Sequence, residues 1–141
     1  MDTFKISKIF HWEMGHRLPF HTGGCQNVHG HSYTMRVELE GTKNANGMIL
    51  DYDDLKTAVK HIIDKWDHAF LVDDSDEIMK TFLKTNGLKF VVFKGNTTAE
   101  NISHYLCEVL KNILASNKNL TAIEVTVKET LTSDAIAKRN F

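Results

Sequence analysis

The sequence predicts an α+β fold, on three observations. Two N-terminal stretches alternate apolar and polar residues with a period of two, two later stretches carry apolar stripes at helical spacing, and a further alternation lies near the C-terminus. The resulting order β-β-α-β-α-β, with antiparallel hairpins, places helices on one side of a small sheet.

Each element has its own local cause. From Phe4 the even positions run Phe4, Ile6, Lys8, Phe10, Trp12 and Met14, a half-buried strand interrupted only by Lys8, and His16 continues the same phase. Residues 17–28 contain Pro19, Gly23 and Gly24 and read as a loop. A second strand places Tyr33, Met35, Val37 and Leu39 on one face, in phase with His29 and His31. Turn-forming residues from Gly41 to Gly47 predict that this strand returns through Met48, Ile49 and Leu50 as a hairpin partner.

Asp51 or Asp53 is positioned to cap a helix whose stripe is Leu55, Ala58, Val59, Ile62, Ile63 and Trp66, ending near Asp67. A shorter helix is expected over Asp76–Leu83, with Asn86 and Gly87 beyond it, and a short strand over Phe90–Phe93. Thr97 and Glu100 match a capping box for a helix with Ile102, Tyr105, Leu106, Val109, Ile113 and Leu114 along one stripe. The last strand alternates Ile123, Val125 and Val127 against Glu124, Thr126 and Lys128, so Glu129 falls on the apolar phase.

A chain of 141 residues supports one core, and a single proline with no linker-like tract makes residues 1–141 one domain. With 17 Lys and Arg against 18 Asp and Glu, the net charge of −1 gives no field to attract nucleic acid or an anionic membrane. No run approaches the roughly 20 apolar residues that span a bilayer. No basic segment followed by an apolar one opens the sequence, so the cytoplasm is the expected compartment. Cys25 and Cys107 are too few for a disulfide framework.

The unusual feature is histidine: eight in all, four of them between His16 and His31. His29 and His31, two apart on a strand, point the same way, and His16 in phase on the neighbouring strand supplies a third imidazole. Three such donors with no fixed fourth ligand leave a position open, as in catalytic zinc sites. Gly30 between the pair allows a close backbone approach. His11, His21, His61 and His104 lie off these phases and are expected to be solvated or structural.

Cys25 admits three readings: a fourth ligand that closes the site, a reactive thiol acting as base or nucleophile, or an inert small hydrophobe, which its loop position disfavours. Cys107 lies beside a helix stripe and is read as packing. Asp67 and His68 read either as a proton-shuttling pair or as a chance adjacency of two common residues. Glu129 is either a salt-bridged acid or an acceptor for two parallel N–H donors of a ligand. Glu100 is explained by capping, with a ligand role open. Phosphate-cradling glycine motifs are absent.

Taken together, His16, Cys25-x3-His29-Gly30-His31-x-Tyr33, Asp67-His68, Thr97-Thr98-Ala99-Glu100-Asn101 and Lys128-Glu129-Thr130 run in an order that resembles the 6-pyruvoyltetrahydropterin synthase / 6-carboxytetrahydropterin synthase family. The resemblance spans nearly the whole chain. It implies a tunnelling fold, a four-stranded antiparallel sheet with two main helices on one face. Three chains would close a barrel, two trimers would stack into a hexamer, and barrel closure would remove unpaired edges. It implies Zn2+ held by His16, His29 and His31, Cys25 as the catalytic thiol, Asp67 and His68 as partners in proton transfer, and Glu129 as the anchor of a pterin ring.

The implied activity is a lyase acting on 7,8-dihydroneopterin triphosphate. A carboxy product, released with acetaldehyde and triphosphate as in queuosine synthesis, is favoured over the pyruvoyl product of triphosphate elimination. A reading from another class is a non-enzymatic module in which Cys25 closes a structural zinc site. The chain departs from the family in carrying Thr97 where proline is frequent, and in its Leu131-Thr132-Ser133-Asp134 segment.

Overall fold

Two thirteen-residue strands form where the alternation runs longest: β1 (Phe4–His16) and β2 (His29–Gly41). They pair antiparallel along their whole length, from Phe4 opposite Gly41 to His16 opposite His29. This computed structural model describes residues 2–141. After β2 come α1 (Tyr52–Trp66), β3 (Ala69–Asp73), α2 (Glu77–Thr85), β4 (Phe90–Phe93), α3 (Ala99–Leu114), β5 (Leu120–Lys128) and β6 (Asp134–Asn140).

The fold is α+β as expected, but the sheet is six-stranded and mixed, with order β4-β3-β1-β2-β5-β6. The expected four-stranded antiparallel sheet corresponds to the run β1-β2-β5-β6, to which β3 and β4 add parallel. The two strands the alternation does not predict, β3 and β6, each have a physical reason for going unmarked. All five residues of β3 are buried, so Ala-Phe-Leu-Val-Asp shows no period of two; it is a strand covered on both faces. In β6 the inward positions are Ala135 and Ala137, too small to mark an apolar face.

Met48–Leu50 is not a strand. The second edge of β2 is taken by β5, in register from Thr34 opposite Lys128, which leaves no place for a hairpin return. Residues 42–50 instead form a loop stapled by Asn119, whose amide donates to the Thr42 and Ile49 carbonyls at 2.8 Å each. Ile49 and Leu50 plug into the core from that loop.

The core lies between one face of the sheet and helices α1 and α3. Trp12, Tyr33, Met35, Val37, Leu39, Ile123, Val125 and Val127 meet Leu55, Val59, Trp66, Ile102, Leu106 and Leu110 there. Cys107 is fully buried among them, and burial pushes its thiol pKa up, as fits packing. The predicted α3 stripe is narrower than expected: Tyr105 and Ile113 are 42% and 48% exposed. Among the described residues no helix is long and apolar enough to cross a membrane.

Candidate metal centre

The β1–β2 register puts His16 directly opposite His29, with His31 two residues further along the same face of β2. The three rings converge, with centroids 4.6, 5.1 and 5.0 Å apart, and one nitrogen from each lies within 4.8 Å of the others. Gly30 permits this: a Cβ there would come within 3.0 Å of the Met14 carbonyl oxygen on β1.

The protonation states suit metal binding. His16 is 1% exposed and donates Nδ1–H to the Thr97 carbonyl oxygen at 2.9 Å, which leaves the Nε2 lone pair for a ligand. His29 Nδ1 is likewise 2.7 Å from the Asn27 carbonyl oxygen. Burial lowers the His16 pKa to about 4, outweighing the Thr97 bond that raises it, and the His29 and His31 rings lower it further. Burial, then His29, lowers the His31 pKa. Neutral imidazole is the form that binds a metal. His16 Nε2 and His31 Nε2 stand 3.2 Å apart, close to the roughly 3.3 Å between two nitrogens on a tetrahedral zinc. The donor set therefore fits a divalent cation.

Glu129 follows β5, and its carboxylate oxygens reach within 3.9 Å of both His16 Nε2 and His31 Nε2. Because His16 is neutral at pH 7, the first contact is a carboxylate beside an imidazole and not an ion pair. Burial raises the Glu129 pKa, the Glu100 charge raises it further, and His29 lowers it. The apolar phase of Glu129 thus leads into this centre. Tyr33 forms the floor, its ring 5.5 Å from that of His31, and its hydroxyl is held protonated by burial.

The expected capping box is displaced by one residue. Thr98 is the cap of α3, accepting from the Asn101 N–H at 3.2 Å, while Thr97 is fully buried against His16. Glu100 therefore has no capping role, and its carboxylate is free to act on Glu129. The tertiary use of Thr97 was invisible locally; its only trace in the sequence was two adjacent threonines competing for one cap.

Asp67 and His68 do pair, Oδ1 to Nδ1 at 3.0 Å, just before β3. The Glu13 N–H, 2.9 Å from the Asp67 carboxylate, is the main cause that holds its pKa below the usual carboxylate range. His68 has φ of 57°, the only non-glycine residue in the left-handed region among the described residues, and its N–H donates to the Glu13 carbonyl oxygen at 2.7 Å. Such strain costs about 1–3 kcal/mol and concentrates at functional positions. The His68 side chain is 77% exposed and borders, with His31, Gly15, Gly30, Ser32 and Glu13, an open cleft of about 420 Å³.

Cys25 sits in a short 3-10 turn, Gly24–Gln26, that buries nothing. It does not belong to the group of mutually close donors, which is three imidazoles alone. The closed four-ligand arrangement is thus not the one observed. His11, His61 and His104 are exposed, as their phases predict.

A family model described as 6-pyruvoyl tetrahydropterin synthase matches residues 5–140. A Haemophilus influenzae relative named 6-carboxy-5,6,7,8-tetrahydropterin synthase is 38% identical, the match covering 92% of this chain and 95% of the relative. One of the same name from Aquifex aeolicus is 30% identical, with 98% and 97% covered. Among solved structures, Caenorhabditis elegans 6-pyruvoyl tetrahydropterin synthase superposes with a TM-score of 0.71 at 26% identity, covering 100% of this chain and 97% of that one. The Plasmodium vivax enzyme of that name has a TM-score of 0.82 at 19% identity, with both chains fully covered, a likeness of fold. On sequence and architecture together, the chain belongs to the 6-pyruvoyl tetrahydropterin synthase family.

Proposed function

We propose that the chain is a zinc-dependent 6-carboxy-5,6,7,8-tetrahydropterin synthase of the cytoplasm. It converts 7,8-dihydroneopterin triphosphate and one water to 6-carboxytetrahydropterin with release of acetaldehyde and triphosphate, a step toward queuosine or related deazapurines. The observation that carries this reading is the convergence of three imidazoles beside Glu129, in a chain whose relatives bear that name.

His16, His29 and His31 hold the ion, and bound there zinc supplies Lewis acidity to the substrate's side-chain hydroxyls. Glu129 receives the pterin 2-amino and N3 hydrogens on its two oxygens, a bidentate charge-assisted contact that fixes the ring. Cys25 moves protons at the side-chain carbons. His68, oriented by Asp67, is the second acid/base.

Cys25 and the Asp67–His68 pair lie outside the imidazole group of a single chain, and we read the working pocket as shared between copies. Support comes from the sheet edges. Among the described residues β1 pairs with β3 only at Met14 and Gly15, so Phe4–Trp12 has no strand neighbour on that side, and β6 has none beyond it. Joining these edges between three chains closes a barrel, and two such trimers form a hexamer.

The test is to incubate zinc-loaded protein with dihydroneopterin triphosphate and identify every product by mass. Acetaldehyde with the carboxy product is expected. A pyruvoyl product without acetaldehyde would establish the second reading, which the name of the matching family favours; no turnover by a zinc-loaded chain would overturn both. Sedimentation should give three or six chains per particle.

A further inference from the structure

His16 is the last residue of β1, and its pairing with His29 is the last rung of the β1–β2 ladder. Beyond it the chain enters the 17–28 loop, whose 3-10 turn contributes no buried residue. No strand bond past this point holds the ring of a metal-binding side chain in place. Its aim must be set by something else, because ligand geometry has to be kept within about 0.5 Å.

Thr97 meets that need from 81 positions away in sequence. Its carbonyl oxygen lies 2.9 Å and its Oγ1 3.1 Å from His16 Nδ1. The same hydroxyl donates to the Arg17 carbonyl oxygen at 3.4 Å. The single hydroxyl proton is directed to Arg17, so an Oγ1 lone pair faces the imidazole N–H. One fully buried side chain thus grips both the ring of His16 and the backbone that follows it.

We propose that Thr97 is a positioning residue of the metal centre, its hydroxyl fixing the ring plane and tautomer of His16 so that Nε2 is aimed at the ion. The proposal rests on the reading of His16, His29 and His31 as a zinc site. Outer partners of ligating histidines are worth about 10–100-fold in metal affinity. The Thr97 carbonyl remains in any side-chain variant, so the hydroxyl's share lies at the lower end, about tenfold.

The test measures zinc affinity by competition with a chromophoric chelator, and the visible absorption of the Co2+-substituted protein, for native, Thr97→Val, Thr97→Ser and Thr98→Ala chains. Thr97→Val keeps the volume and the carbonyl but removes the hydroxyl. It is expected to bind zinc about tenfold more weakly and to shift the Co2+ bands. Thr97→Ser restores the hydroxyl and should bind within about threefold of native. Thr98→Ala removes the α3 cap, destabilising the helix end without touching His16, and should also stay within about threefold.

Less than about fivefold weakening in Thr97→Val overturns the proposal. So does equal weakening in Thr98→Ala, which would trace the effect to a loosened helix end. Should Thr97→Val fail to fold, Thr97→Ala against Thr97→Ser makes the same comparison. A native chain that takes up no zinc would instead refute the metal reading itself.

Discussion

Replacing Gly30 with alanine tests the physical basis of the metal centre most directly. The new Cβ would stand 3.0 Å from the Met14 carbonyl oxygen and 3.6 Å from the Gly15 Cα. The first distance is several tenths of an ångström short of an ordinary contact, and the atom it meets is backbone, which has no rotamer to change. The two strands must part where Gly15 faces Gly30, one rung from the pairing of His16 with His29. Overpacking of this kind costs about 1–3 kcal/mol. Loss of glycine's freedom in the unfolded chain offsets about 0.4–1 kcal/mol. The net destabilisation is about 1–2 kcal/mol; at an unfolding entropy of about 0.3 kcal/mol per kelvin for this length, Tm falls by about 3–7 °C. Zinc affinity should fall by about tenfold or more, because the rings on either side of the gap are spread. Differential scanning calorimetry of the metal-free protein and chelator competition measure the two effects. A Gly30→Ala chain that melts within 1 °C of native and binds zinc equally tightly would refute the argument that close strand approach sets the ligand geometry.

Cys25→Ala should retain about one zinc per chain while turnover of dihydroneopterin triphosphate collapses; metal loss would instead make the thiol a ligand. Asp76 has a 3% exposed side chain and takes the Arg17 guanidinium on both oxygens at 2.6 and 2.8 Å, so Asp76→Ala should cost about 2–4 kcal/mol at pH 7 by denaturant unfolding. Arg17 is the main cause of the lowered Asp76 pKa, so this stabilisation is present above the unfolded carboxylate value of about 4. It is lost as pH falls through the lower folded value, so the native and Asp76→Ala stabilities should converge only in acid. His68→Asn, whose side chain tolerates φ of 57°, should keep stability within about 0.5 kcal/mol, whereas β-branched His68→Val should lose about 1–2 kcal/mol. Both should lose turnover if His68 transfers a proton.

Much of the centre is legible in the sequence, because a strand's period of two is enough to place His16, His29 and His31 on one face. Phase also placed Glu129 at the end of the inward side of β5. The α1 stripe and the Ile102, Leu106 and Leu114 part of the α3 stripe were equally plain, since helices that cover one sheet face must show their buried side. What stayed hidden depends on partners distant in sequence. β3 is covered on both sides and so carries no alternation, and β6 presents only alanines inward. Met48–Leu50 has strand-like composition, but the neighbouring edge was already occupied by β5. Either Thr97 or Thr98 satisfies the local requirements of a cap; packing against His16, far away in the chain, assigns Thr97 elsewhere.

The aromatic floor beneath the imidazoles makes the centre observable by light. Trp12 lies parallel to Tyr33 at 5.3 Å and edge-on to Trp66 at 6.1 Å, and these are the chain's two tryptophans. Tyr33 in turn stands 5.5 Å from His31. A coloured ion such as Co2+ or Cu2+ held by the three rings would accept excitation energy from the adjacent indole, whereas Zn2+, with its filled d shell, would not. Emission quenching on titration would therefore report occupancy in the intact protein without any attached dye.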